Sequence, residues 1–241
     1  MKKVLAFLVA FILLLVSLPG CGPSEEEQLK KEYFDSGIAT ATAEKFVTLL
    51  MDSLKKKGLI TDENVRKTGT DIVSDEEDGS LDSRGFCVLS IYGYELSVEY
   101  LFSPGKRLVS HSSTLYVKTK EVSSADQIEG LPDALKDTVS EILLLFKRRR
   151  TDTGKIFGPS VEDVSSGWSR KCLIENFDKT SYPVYVDGDR TKIRYEVKNF
   201  RRFGGAEIDT TVYCEQKNGS PVYYMDYKIT LEAFDPPLWT E

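Results

Sequence analysis

Between Tyr94 and Phe102 every second residue is apolar. Tyr94, Leu96, Val98, Tyr100 and Phe102 alternate with Glu95, Ser97 and Glu99. A period of two places those side chains on one face of an extended strand, and that face must be buried against something. The pattern returns where Ile193, Tyr195 and Val197 alternate with Arg194, Glu196 and Lys198, and again in Tyr223, Met225, Tyr227, Ile229 and Leu231. Phe86 to Ile91 is an almost continuous apolar run, and residues 107–118 read as the hairpin partner of 94–102. Pro104-Gly105, Asp187-Gly188, Gly204-Gly205 and Asn218-Gly219 supply tight turns between these runs. Turns this short join neighbouring strands in antiparallel fashion, so the strands form meanders.

Two segments follow a helical period instead. Thr42 is placed to cap a helix whose apolar stripe is Phe46, Leu49, Leu50 and Leu54, with Lys55, Lys56 and Lys57 at its negative end and Gly58 as the stop. Residues 61–67 read as a further short helical turn. The second helix has Pro132 in its first turn, Asp133 and Asp137 near its positive end, and the stripe Leu135, Val139, Ile142, Leu143 and Phe146. The run Lys147, Arg148, Arg149 and Arg150 complements the other end of that dipole, which predicts a solvated basic cluster. Contact of this cluster with anionic lipid or a polyanionic glycopolymer is the alternative.

The order helix, strands, helix, strands predicts an α+β fold, with helices packed on antiparallel β-meanders. In element order it resembles the cystatin-like and helix-grip folds, as two units in tandem over 41–125 and 126–241. A single domain over 41–241 is the alternative.

The N-terminus carries an address. Lys2 and Lys3 precede thirteen apolar residues from Val4 to Val16. A membrane-spanning helix needs about 20. The shorter run behind a basic start fits a signal-peptide core over residues 1–20. Leu18-Pro19-Gly20-Cys21 resembles the lipobox of bacterial lipoproteins, with Leu three before the Cys and a small residue just before it. That resemblance implies a diacylglyceryl group on the Cys21 thiol, cleavage before Cys21, and a membrane partner reached through the N-terminal lipid. Residues 21–40 then form a lipidated tether. The body would lie outside the cytoplasm, at the outer membrane of a Gram-negative cell or the cell membrane of a Gram-positive one. Loss of Lys2 and Lys3 makes the body more acidic than the net −6 of the whole chain, which disfavours a nucleic-acid partner.

In an oxidising compartment the three remaining cysteines bear on disulfides. Cys172 and Cys214 are the candidate pair, and Cys87 reads as a buried small hydrophobe. Asp75-Glu76-Glu77-Asp78 lacks the alternating ligands and closing Glu of a calcium loop and reads as solvated. His111 is the single histidine; set between serines, it reads as a surface residue rather than a base. Nucleophile-elbow, zincin, phosphate-loop and dinucleotide signatures are missing, so no catalytic, cofactor or metal residue is assigned. Over Lys192–Phe203 basic and aromatic residues interleave, but strand alternation sends Tyr195 to the core. The function expected is a non-catalytic binding or structural role in the envelope, with an envelope protein or glycopolymer as partner. The alternative is a hydrolase acting on cell-wall material through two carboxylates.

Cys21→Ser should move the protein from the membrane fraction to the soluble fraction. Unchanged membrane association would contradict anchoring through that thiol.

Overall fold

A computed structural model describes residues 32–74, 81–104, 109–128, 131–162, 182–186 and 189–240. The fold is α+β. Helix α1 spans Ile38–Lys56 and precedes strands β1 (Val65–Ser74), β2 (Leu81–Ile91), β3 (Tyr94–Pro104) and β4 (Val109–Lys118). Helix α2 spans Asp133–Leu144. A small ladder of β5 (Arg148–Arg149) and β6 (Ile156–Phe157) follows. The chain ends in β7 (Tyr182–Val186), β8 (Asp189–Phe203), β9 (Ala206–Lys217) and β10 (Ser220–Ala233).

Eight strands form one antiparallel sheet in the order β1-β2-β3-β4-β10-β9-β8-β7. Each half is a meander, and the two meet where β4 pairs β10, from Lys118 opposite Asp226 to His111 opposite Ala233. They are therefore continuous in one sheet rather than laid on separate ones. Turn chemistry fixes the register within each half. Asn218 and Gly219 both take positive φ, 53° and 79°, as a two-residue hairpin turn requires. Tyr213 consequently lies opposite Tyr224.

Helix α1 begins at Ile38, one turn earlier than Thr42 suggests. Gly37 stands at its N-cap with φ 75°, and the Thr42 hydroxyl instead donates to Ile38 O at 2.7 Å. Its buried stripe is Ala39, Ala43, Phe46, Leu50 and Leu54. The small residues let the helix lie very close to β2. A Cβ on Gly85 would meet the Ala43 carbonyl oxygen at 2.6 Å. Helix α2 buries Leu135, Val139, Ile142 and Leu143 in the same core, beside Ile208, Met225, Tyr227, Ile229 and Leu231 from β9 and β10. Its Glu141 joins α1, accepting from Lys57 Nζ at 2.5 Å and from the Ser53 hydroxyl.

Three expectations are corrected. The helical turn expected over 61–67 is confined to its first residues. A short 3₁₀ turn at Asp62–Asn64 leads into the edge strand β1, which runs through Gly69 and pairs with β2. Its β-branched Thr68, Thr70, Ile72 and Val73 suit a strand, and its polarity follows from having a partner on one side only. Tyr195 is 45% exposed rather than part of the core. Arg148 is fully buried rather than solvated, whereas Arg149 and Arg150 are exposed. The basic run leaves the helix after Leu144 and enters β5, where alternation turns one residue in and the next out.

No helix of the described residues is long and apolar enough to cross a membrane.

Gly85→Ala should lower stability by about 1–3 kcal/mol, because helix and strand backbones would have to separate. The check is the denaturant midpoint; an unchanged midpoint would contradict the close α1–β2 approach.

Candidate functional site

Sheet alternation sorts the side chains of β4, β9 and β10 into two sets. Leu115, Val117, Ile208, Val212, Met225, Tyr227, Ile229 and Leu231 face the helices and are buried. The intervening residues face away from them, and the polar chemistry concentrates there. Successive rungs on this outer face pair Tyr224 with Tyr213, Asp226 with Thr211, Lys228 with Asp209 and Thr230 with Glu207.

Two clefts open on that face. One, of about 480 Å³, is lined by Tyr116, Phe200, Asp209, Thr211, Tyr213, Asp226 and Lys228. At its floor the Tyr116 hydroxyl donates to Asp226 Oδ2, and Asp226 is only 8% exposed. Burial and the neighbouring carboxylate drive the Tyr116 phenol well above its ordinary range, so it stays protonated as the donor. The rings of Tyr213 and Tyr224 stack with centroids 4.8 Å apart, and the Tyr224 hydroxyl donates to Glu215 Oε1 at 2.6 Å. Lys118 Nζ sits 4.5 Å above the Tyr224 ring. Phe200 on β8 stands 56% exposed at the wall. The second cleft, about 520 Å³, continues along the same rungs with Ser110, Arg202, Glu207, Thr230, Glu232 and Phe234. Arg202 and Glu207 form an ion pair there.

A second polar cluster lies on the opposite, helix side and is closed. Arg148 donates from Nη1 to the carbonyl oxygens of Leu145, Phe146 and Lys147 at 3.2, 3.0 and 3.4 Å, and from Nη2 to the Ser113 hydroxyl at 2.5 Å. Those carbonyls belong to the turn that ends α2, so the guanidinium meets the negative pole of the helix dipole from within. Burial pushes Arg148 down to about 10. The helix-end argument for the basic run therefore holds for Arg148 through buried carbonyls, not through solvent.

His111 is also buried, 7% exposed, and this corrects the surface position expected of it. Strand β4 turns it toward the helices, where its Nδ1 lies 2.6 Å from the Tyr100 hydroxyl. Burial first and Arg148 second push it down to about 4. A neutral imidazole under Phe102 and Tyr100 is a core group.

The remaining sequence assignments divide by position. Cys87 is buried on β2 with Sγ 3.5 Å from Met51 Sδ, and burial pushes its thiol up to about 11, which makes it inert at neutral pH. Cys214 is 9% exposed on β9. Its candidate partner Cys172 lies outside the described residues, as do Cys21, the acidic loop at 75–80 and the Asp187-Gly188 turn. Among the described residues no group of three or more His, Cys, Asp or Glu is placed to hold a metal ion. Tyr116, Asp209, Tyr213, Tyr224, Asp226 and Lys228 were not singled out by sequence. The signal available was parity: on β10 Tyr224, Asp226 and Lys228 occupy the positions opposite to the apolar set, and the Asn218-Gly219 hairpin sets Tyr213 and Asp209 of β9 against them.

No protein-family model, curated protein or solved structure matches the chain.

The His111 shift makes stability depend on pH. Its folded value lies below the unfolded value of about 6.5, so its contribution is present above pH 6.5 and lost as pH falls toward 4. The loss should reach about 2 kcal/mol at pH 5. Denaturant midpoints at pH 7.5 and 5 should differ less in His111→Gln than in the wild type. Identical pH dependence in both proteins would contradict a buried neutral imidazole.

Proposed function

We propose that the protein is a lipid-anchored bacterial envelope lipoprotein whose body binds a partner on the sheet face turned away from α1 and α2 and catalyses no reaction. Anchoring draws on Leu18-Pro19-Gly20-Cys21 behind an apolar N-terminal run. A diacyl group supplies the two chains that stable membrane attachment needs. The body then lies outside the cytoplasm.

One observation carries the binding reading. The space between helices and sheet is filled by a continuous core, while the polar, aromatic-lined clefts lie on the sheet's other side. This sheet face, which carries no helix among the described residues, offers recognition chemistry in exposed Phe200 and ordered tyrosines. Two groups that could serve as base or thiol nucleophile, His111 and Cys87, are both buried on the helix side.

The second reading, a carboxylate hydrolase, draws on Asp209 and Asp226. They are diagonal neighbours across β9 and β10, a placement that puts Cα atoms about 7–8 Å apart. Inverting glycosidases hold their two carboxyls about 6.5–9.5 Å apart. Against it, Asp226 is only 8% exposed and its Oδ2 is already engaged by the Tyr116 hydroxyl. A hydrolase would release new reducing ends from cell-wall glycan and lose that activity in Asp226→Asn; the binding reading expects no release from the wild type.

A photoactivatable benzophenone in place of Thr230, on the outer face, should form adducts in intact cells. The same group in place of Glu44, exposed on α1, should form none. Adducts at neither position, or equally at both, would contradict binding through the sheet face.

A further inference from the structure

Four features of the outer face narrow what it can hold. The first is length. The two clefts adjoin along consecutive rungs, because Lys228 and Asp209 line one while Thr230 and Glu207 line the next. From Tyr224 to Glu232 the strand rise gives a track of about 27 Å, longer than a single small ligand fills. The second is composition. Along β10 an aromatic ring, a carboxylate, an ammonium, a hydroxyl and a second carboxylate follow one another in Tyr224, Asp226, Lys228, Thr230 and Glu232. The exposed Phe200 ring at the cleft wall suits the C–H face of a flat cyclic ligand, and alternating acceptors and donors suit a dense array of hydroxyls.

The third is charge. Asp209 and Asp226 face Lys228 in one cleft, and Glu207 and Glu232 face Arg202 in the other, where Arg202 is already paired with Glu207. Among the described lining residues carboxylates outnumber cations in both, which disfavours a polyanion. The fourth is backbone. Strand β9 is paired with β8 and β10, and β10 with β9 and β4. An extended peptide laid here meets no open sheet edge, so its own N–H and C=O groups would lack the ladder that strand addition supplies.

We infer that this face binds a linear, hydroxyl-rich glycan, neutral or amine-bearing, stretched along β10. The inference rests on the binding reading above and names the ligand class. Phe200 and Tyr213 contribute ring surfaces, Tyr224 backs Tyr213 from beneath, and the exposed Lys228 and Asp209 contribute the polar contacts.

The test is isothermal titration of the purified body with β-1,4-linked hexamers of N-acetylglucosamine, glucosamine, glucose and xylose. At least one hexamer should bind, and its monomer should bind at least about tenfold more weakly. Phe200→Ala and Lys228→Ala both replace exposed side chains, so the fold should persist; each should weaken hexamer binding about tenfold with thermal midpoints unchanged. Binding to no hexamer overturns the inference, as does hexamer binding that both variants leave intact. A lysine-rich decapeptide bound in preference to every hexamer also overturns it. If in-cell adducts form at position 230 while every hexamer fails, the glycan is wrong and the binding face stands.

Discussion

The ladder between β4 and β10 is the interaction on which both faces of the molecule depend. Without it the chain would be two four-stranded meanders, each with an unpaired strand at its inner edge. An unpaired edge is a row of backbone donors and acceptors open to any other chain. Pairing Lys118–His111 with Asp226–Ala233 closes both edges at once. It also makes one apolar surface of two: Leu115 and Val117 from β4 join Tyr227, Ile229 and Leu231 from β10 in a core shared by α1 and α2. On the other face the same seam brings Tyr116 of β4 within hydrogen-bond reach of Asp226 of β10. The candidate binding cleft is thus a product of the joint between the halves rather than of either half.

The helix side is sealed by a C-terminal strap. Trp239 packs edge-on against Tyr100 with centroids 5.1 Å apart, lies 5.9 Å from Phe46, and donates from Nε1 to Leu145 O at 3.0 Å. The Leu238 N–H donates to Lys147 O at 3.1 Å, and the Thr151 N–H donates to Asp235 Oδ1 at 2.8 Å. These contacts cover the end of α2, where the Arg148 guanidinium is buried among carbonyls. An isolated buried cation is costly, and here hydrogen bonds from the helix end and Ser113 offset much of that cost. The closed side therefore accounts for His111, Cys87 and Arg148 as structural groups. Under the proposed function, recognition falls to the open side.

Local pattern carried much of this architecture in the sequence. Strict alternation located β3 and the inward face of β10, and Asn218-Gly219 fixed the β9–β10 hairpin. Helical spacing located both helices to within a turn. Three features were not legible, each for a different physical reason. Strand β1 is an exposed edge, so its sequence lacks the apolar face by which strands are read. Arg148 is buried because a two-residue ladder redirects a run that composition assigns to solvent. The β4–β10 seam joins residues more than a hundred positions apart, and no local period encodes such a pairing. For the same reason Tyr116 could not be assigned to the cleft from sequence, although the outward parity of Tyr224, Asp226 and Lys228 was readable.

The central claim is that the open face is occupied where the protein works, and hydroxyl-radical footprinting in intact cells addresses it directly. Relative to the purified body, Phe200, Tyr116 and Tyr213 should be protected on cells. Tyr92, 67% exposed in the β2–β3 turn, and Leu144, 52% exposed on α2, should be oxidised equally in both settings. Equal oxidation of the outer-face aromatics in cells and in solution would contradict the account.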